Sequence, residues 1–266
     1  MSEPLALLIL GALIGVLSGL LGVGGGLMMI PALMYGLPLM GFAALGVKAA
    51  TAASAMQAVA SGVSSSWAHA RRKTVLWGVA LPLGAAALGG GYWGGLLSGQ
   101  LDDRFLKYLL VAVIAIVMTM FGRNKAHHGE QTPLVLSVGD ALRLPELPRA
   151  ALLAVGVGVL SGVLGIGGSL FLIPIMTILL RLPMRNAIGA GSATVLMISA
   201  AALLGKWQAD ILPLREAMLL TVGAFFGGMA GARLTSRVSP IVLKRLMMAL
   251  MGLALARTLT ELLLGI

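Results

Sequence analysis

The chain contains one long motif twice. Residues 15–31 read GVLSGLLGVGGGLMMIP, and residues 158–174 read GVLSGVLGIGGSLFLIP, so that 12 of 17 positions are identical at an offset of 143. The same offset pairs Gly46 with Gly189, which extends the match well beyond the motif. The chain is therefore a duplication of two apolar halves, the pattern of a secondary transporter whose site lies between its repeats.

The composition indicates a membrane protein. Hydrophobic residues make up 59% of the chain, charged residues 11%, and the mean hydropathy is +1.00. Such a chain has too little polar surface to cover a soluble globule. Apolar runs that reach or approach the roughly 20 residues needed for a crossing occupy 5–36, 41–66, 75–98, 105–122, 150–180, 186–205, 211–232 and 241–264. We predict a multi-pass membrane protein whose surroundings are the lipid bilayer.

The first apolar run of each half is too long and too rich in glycine to be one helix. Residues 5–36 would span about 48 Å as a straight helix, against a hydrocarbon core of about 30 Å. Gly24, Gly25 and Gly26 lie in the middle of the run, and Pro31 follows. Glycine weakens a helix interior and proline removes a hydrogen-bond donor. We therefore predict a glycine-broken first helix in each half.

The basic residues indicate what happens at each break. If eight segments simply crossed the membrane, nine Lys and Arg residues would lie inside and eight outside, which is no bias. If each break turns the chain back, thirteen lie inside and four outside, with Lys48 and Arg257 counted on neither side. The positive-inside rule favours the reversal. The charges require it only in the second half, and we infer it for the first half because the two halves are repeats. The predicted fold is an all-α integral membrane protein with two inverted repeats of about five helical segments each, or 8–10 apparent spans.

Three regions follow from this reading. Residues 1–122 form the first membrane repeat, 123–148 a cytoplasmic linker, and 149–266 the second repeat. His127, His128 and Glu130 lie in the linker, where a solvated loop is favoured over a metal site.

Several other function classes lack support in the sequence. The net charge of +10 comes from basic residues at the ends of spans, which indicates membrane anchoring and not nucleic-acid binding. All three histidines precede residue 129, so a serine such as Ser192 has no histidine base downstream of it. We expect no enzyme activity, no cofactor and no metal.

The glycine breaks are candidate anion sites. A half-helix that begins inside the membrane exposes unpaired N–H groups and the positive end of its dipole, which favour an anion. The alternative is that glycine serves only the geometry of the turn. For Gly15, Gly19 and their copies Gly158 and Gly162 we favour close helix packing instead. The candidate substrate-binding residues at the breaks are Gly24, Gly25, Gly26, Gly167, Gly168 and Ser169.

A polar strip follows each break. Lys48, Thr51, Ser54 and Gln57 recur at a spacing of three and would lie close to one helix face. Lys48 could offset the charge of a substrate, or it could extend to water at the outer interface. Its repeat partner is Gly191, so the charge is not part of the duplication. The corresponding strip in the second half contains Asn186, Ser192 and Thr194.

The doubled motif resembles the sulfite exporter TauE/SafE family, also called the toluene sulfonate uptake permease family. The resemblance covers essentially the whole chain and implies a transporter for a small anion such as sulfite, a sulfonate such as sulfoacetate, or a related carboxylate. It also implies a multi-pass protein of the bacterial plasma membrane. It places the anion near the two breaks and the strips that contain Thr51 and Thr194. Ser169 departs from the pattern because it replaces a third glycine.

We expect a secondary transporter that works by alternating access, with a proton as a candidate coupling ion. An anion channel and a non-transporting scaffold are the alternatives.

Overall fold

The computed structural model describes residues 2–21, 24–123, 139, 144–234 and 240–264. The predicted linker with His127, His128 and Glu130 lies almost entirely outside these residues. The described residues form helices and no strands, as the sequence predicts. The helices are α1 (Glu3–Leu21), α2 (Gly26–Pro31, continued by a π-helical turn Ala32–Gly36 and by Leu37–Leu39), α3 (Val47–Arg71), α4 (Trp77–Ser98), α5 (Asp103–Arg123), α6 (Leu147–Leu164), α7 (Ser169–Ile178), α8 (Met184–Gln208), α9 (Leu214–Leu234) and α10 (Pro240–Leu264).

Four of the described helices are long and apolar enough to cross a membrane, namely α1, α6, α8 and α9. Two shorter apolar helices, α2 with its continuation and α7, follow α1 and α6 directly. This pattern confirms a multi-pass, all-α membrane protein whose first helix is broken in each half.

The two halves interlock. The first helix of each half packs along the fourth helix of the other half, so that α1 contacts α9 and α6 contacts α4. In each pair the numbering rises together, so the paired helices run parallel. Small residues allow the backbones to approach closely, which confirms the packing role predicted for the glycines of the motif. The residues in contact are Gly11 with Leu220, Gly15 with Ala224, Gly158 with Ala87, and Gly162 with Gly91.

The helices α3 and α8 occupy equivalent places in the two halves and lie against each other in opposite directions. Nδ2 of Asn186, at the start of α8, donates a hydrogen bond to the carbonyl oxygen of Thr74, just after α3, over 3.3 Å. At the other end, Nζ of Lys206 in the last turn of α8 lies 3.1 Å from Oγ1 of Thr51 near the start of α3. An inverted duplication requires this alignment.

Both glycine breaks turn the chain back along the helix that precedes them. A Cβ atom at Gly25 would lie 3.0 Å from Cγ2 of Ile14 and 3.0 Å from Cβ of Ser18. In an uninterrupted helix Gly25 would stand about 16 Å beyond Ile14. The second break has the same arrangement, since a Cβ atom at Gly168 would lie 2.8 Å from Oγ of Ser161.

Candidate functional site

The two breaks meet in the middle of the protein, between α3 and α8. A Cβ atom at Gly26 would lie 2.6 Å from Cα of Ile166, a backbone atom of the second break. Gly24 and Gly167 both lie against Val195 of α8. A Cβ atom at Gly24 would lie 2.9 Å from Cγ1 of Val195, and one at Gly167 would lie 3.0 Å from the same atom. The glycines that the sequence singles out in each half are therefore brought together.

Five glycines at the breaks adopt a conformation that other residues rarely take. The φ angles are +78° at Gly24, +68° at Gly25, +68° at Gly165, +79° at Gly167 and +77° at Gly168. A Cβ atom disfavours this left-handed region, so the chain reversal itself requires glycine here.

The third position of each break has different surroundings in the two halves. Gly26 abuts the backbone of Ile166 and has no room for a side chain. Ser169 is buried and faces Gly191, where a Cβ atom would lie 3.4 Å from Cβ of Ser169, an ordinary contact distance.

Serine hydroxyls of α3 lie within hydrogen-bond distance of backbone carbonyl oxygens in both breaks. Oγ of Ser54 donates to the carbonyl oxygen of Gly165 over 2.9 Å, and Oγ of Ser61 lies 3.4 Å from that of Gly24. Oγ1 of Thr51 donates to the carbonyl oxygen of Lys48 over 2.8 Å. The predicted strip on α3 thus lies beside the breaks, and its hydroxyl protons at Thr51 and Ser54 are already engaged by the backbone.

Gln57 is the most unusual member of that strip. Its side chain is fully buried, and neither Nε2 nor Oε1 has a hydrogen-bond partner among the described residues. A Cβ atom at Gly25 would lie 3.3 Å from Nε2, so the amide borders the first break. An unpaired buried polar group costs about 1–3 kcal/mol, so such a group calls for a ligand or a bound water.

Further unpaired hydroxyl groups surround the breaks. Oγ of Ser199 would lie 3.1 Å from a Cβ atom at Gly167, and Oγ of Ser161 would lie 2.8 Å from one at Gly168. The buried serine hydroxyls here that have no hydrogen-bond partner in the described part of the chain belong to Ser18, Ser161, Ser169 and Ser199. Of these, only Ser169 is predicted from the sequence as a site residue.

The second predicted strip is only partly at the breaks. Ser192 and Thr194 are buried and donate to the carbonyl oxygens of Ile188 and Gly191, over 3.0 Å and 2.8 Å. Asn186 lies against Thr74, about 14 Å along α8 from the turn that borders the breaks.

Lys48 lies at the rim of the protein. Its side chain is 33% exposed, and Nζ donates to the carbonyl oxygen of Gly99 over 3.2 Å. Oδ1 of Asp103 lies 3.8 Å from the same nitrogen. Nine residues of α3 separate Lys48 from Gln57, a distance of about 14 Å. The geometry favours the anchoring role for Lys48 over a place at the breaks.

Lys206 is the charged residue that sequence reasoning missed. The apolar run ends at Gly205, which places Lys206 in an outer loop, but α8 continues to Gln208 and Lys206 is fully buried. The repeat holds a signal for this, because the offset of 143 aligns Lys206 with Val63, well inside α3. Its Nζ atom donates to Oγ1 of Thr51, Oγ of Ser98 and the carbonyl oxygen of Val163.

A second polar cluster joins the π-helical turn that continues α2 to the helices α5 and α10. The hydroxyl oxygen of Tyr35 lies 3.1 Å from Oγ1 of Thr258 and 3.3 Å from Oε2 of Glu261. Nζ of Lys107 lies 2.9 Å from the same carboxylate oxygen. Within the described ranges, no three His, Asp or Glu side chains lie close enough together to hold a metal ion.

Comparison with known proteins gives a consistent result. The family model described as Sulfite exporter TauE/SafE matches residues 7–258. A probable membrane transporter protein of Methanocaldococcus jannaschii is 24% identical over 255 residues, covering 92% of this chain and 91% of the relative. A probable membrane transporter protein of Xylella fastidiosa is 29% identical over 235 residues, covering 86% of this chain and 84% of the relative. The probable membrane transporter protein YunE of Bacillus subtilis is 24% identical over 258 residues, with 92% and 94% covered. No solved structure matches significantly.

Proposed function

Because the chain belongs to the sulfite exporter TauE/SafE family, we propose that this membrane transporter is a secondary carrier that binds a small oxyanion where its two glycine breaks meet. The substrate is sulfite, an organosulfonate such as sulfoacetate, or a related carboxylate. The observation that carries the proposal is the set of buried, unpaired polar groups at the breaks, with Gln57 and Ser199 contributed by opposite halves.

The chemistry of these groups suits the oxygens of a sulfite, sulfonate or carboxylate group. Serine hydroxyls and the Gln57 amide nitrogen donate hydrogen bonds, and bonds to an ionised acceptor are stronger than those between neutral groups. The helices α2 and α7 begin at the breaks, after Gly25 and Gly168. Met28 and Phe171 already donate their N–H groups to the carbonyl oxygens of Gly25 and Gly168. The two N–H groups before each of them have no acceptor within the helix, and the helix dipole is positive there. Donors therefore converge on the breaks from both halves.

Gln57 also offers an unpaired acceptor, Oε1. A site with a donor and an acceptor side by side can hold a protonated oxygen as well as an ionised one. Protonation of the substrate itself would then couple transport to a proton. This route requires no carboxylate at the breaks.

The proposed mechanism is alternating access around the breaks, in a protein whose halves are inverted in the membrane. The antiparallel alignment of α3 and α8 supports the inversion, and the basic residues of the 71–73 turn favour a cytoplasmic position for that turn. The breaks lie between these two helices, so a small rotation of one half against the other would expose the site to either side in turn.

Flux into liposomes tests the proposal. The purified protein is reconstituted, and uptake of sulfite, sulfoacetate, taurine and acetate is measured with and without a pH gradient, against empty vesicles. Saturable flux of an oxyanion is the expected result. A conductance that does not saturate indicates a channel, and the absence of flux for every anion indicates a scaffold or a different solute; either outcome rejects the carrier proposal.

A further inference from the structure

Lys206 places a buried amino group at a junction of four helices. It belongs to α8, and its Nζ atom lies 3.1 Å from Oγ1 of Thr51 in α3, 2.9 Å from Oγ of Ser98 in α4 and 2.9 Å from the carbonyl oxygen of Val163 in α6. The residue is completely inaccessible to solvent. Two of the four helices come from each half, so the amino group sits on the seam between the repeats.

The hydrogen bonds suit a positively charged amino group. Oγ1 of Thr51 lies 2.8 Å from the carbonyl oxygen of Lys48 and Oγ of Ser98 lies 2.6 Å from that of Gly95, so both hydroxyls have acceptors for their own protons. The third partner of Nζ is a carbonyl oxygen and has no proton to give. In this arrangement the three bonds to Nζ use three hydrogens of Lys206, the number that the ammonium form carries.

The charge has no acidic partner within the described residues. The ion pairs there join Lys48 to Asp103, Lys107 to Glu261, and Arg149 to Glu146. None of them includes Lys206. A charge inside a membrane protein is costly, and where it is kept it commonly marks the path of a substrate or ion.

The ammonium group is adjacent to the second break. Val163, whose carbonyl oxygen it binds, precedes Gly165 by two residues. The backbone of Gly165 contacts the carbonyl oxygen of Thr51, and Ser54, one turn further along α3, donates to the carbonyl oxygen of Gly165 over 2.9 Å. The lysine and the break thus share the same neighbouring segments of α3 and α6.

We propose that Lys206 supplies the fixed positive charge that attracts the anion to the second break and makes the site favour a dianion over a monoanion of similar size. This inference rests on the proposed function, because it concerns the same site. Lys206 acts through its electric field and not by contact, since all three of its N–H groups are already bonded. It is a positioning residue that determines charge specificity.

The test neutralises the charge while it keeps an acceptor beside each N–H group of Lys206. Ser98→Asp places a carboxylate beside Nζ, and Ser98→Asn is the matched variant of the same size without charge. Sulfoacetate, a dianion, and methanesulfonate, a monoanion, are compared as competitors of the anion flux of each protein, and thermal unfolding is measured in parallel. We expect Ser98→Asp to reduce the preference for the dianion on the order of tenfold relative to Ser98→Asn, because opposite charges a few ångströms apart cancel much of each other's field.

A merely structural lysine predicts a different result. The carboxylate would then leave the ratio of the two inhibition constants unchanged and alter the melting temperature alone, which overturns the inference. If neither Ser98 variant folds, Lys206→Met takes its place, because the two hydroxyls keep their own acceptors without the lysine; Lys206→Arg, which retains the charge, should keep the dianion preference. A wild-type protein that moves no anion overturns both proposals, whereas wild-type flux with an unchanged ratio in the variants overturns only this one.

Discussion

Nζ of Lys206 and Oγ1 of Thr51 lie 3.1 Å apart although 155 positions separate them in the chain. Thr51 belongs to the second turn of α3, and Lys206 belongs to the last turn of α8. The contact therefore sets the beginning of one helix beside the end of its equivalent in the other half. Loops that correspond in the two halves should then face opposite sides of the membrane.

Single cysteines at corresponding turns test this topology, because the chain contains no cysteine of its own. Lys73 follows the end of α3 and Asp210 follows the end of α8, and both are exposed in the left-handed conformation, with φ of +56° and +54°. Lys73→Cys should react with an impermeant maleimide only from the cytoplasmic side, and Asp210→Cys only from the outside. Labelling of both from the same side contradicts the inverted topology.

Because the two breaks pack against each other, one added methyl group at Gly26 should destabilise the protein strongly. Gly26→Ala would place its Cβ atom 2.6 Å from Cα of Ile166, and a backbone atom cannot rotate away. We expect this variant to lower the free energy of unfolding by about 2–3 kcal/mol, as overpacking of a core does. The measurement is thermal unfolding of the purified protein in detergent.

Gly46→Ala is the matched control for that variant. No atom lies within 4 Å of a Cβ atom at Gly46, and its φ of −58° suits alanine. Its stability should stay within about 0.5 kcal/mol of the wild type. Equal stabilities for the two alanine variants would show that the breaks do not pack against each other as described.

The breaks were predictable from the sequence, whereas the polar groups around them were predictable only in part. Chain reversal at Gly24 and Gly25 is a local property of glycine, so a doubled glycine run indicates it directly. The position of Lys206 depends on Thr51 in the other half, and hydropathy averaged along the chain cannot detect such a partner. Ser199 has Met56 as its repeat partner, so the duplication gave no reason to single it out.

The helical spacing on α3 groups Lys48 with Gln57, but the structure separates their environments. Lys48 already lies near Asp103 and is partly exposed, about 14 Å from Gln57 along the helix. A solvent-screened charge beyond a Debye length of about 8 Å has little effect on a distant site. Lys48→Met should therefore change transport by less than about twofold, measured as initial flux into liposomes. A large loss of flux with unchanged folding would return Lys48 to the substrate site.

A substitution at Gln57 should change stability and transport in opposite directions. Its amide is fully buried and has no hydrogen-bond partner among the described residues, so the protein itself does not offset the cost of desolvating it. Gln57→Met keeps the length of the side chain and removes both polar atoms. We expect the free energy of unfolding to rise by about 1 kcal/mol, while anion flux falls by at least about tenfold, the effect of losing one bond to a charged group.

The matched control for Gln57→Met is Gln208→Met, the same substitution at an exposed position where Oε1 accepts a hydrogen bond from the hydroxyl of Tyr92 over 2.6 Å. This variant should transport at nearly the wild-type rate, because Gln208 lies at the end of α8, away from the breaks. Flux and thermal unfolding are measured for both variants in the same lipid and detergent. If Gln57→Met is less stable than the wild type and still transports, the amide serves packing and the anion binds elsewhere. A protein that becomes more stable as it loses transport is what a site with polar groups held ready for a ligand requires.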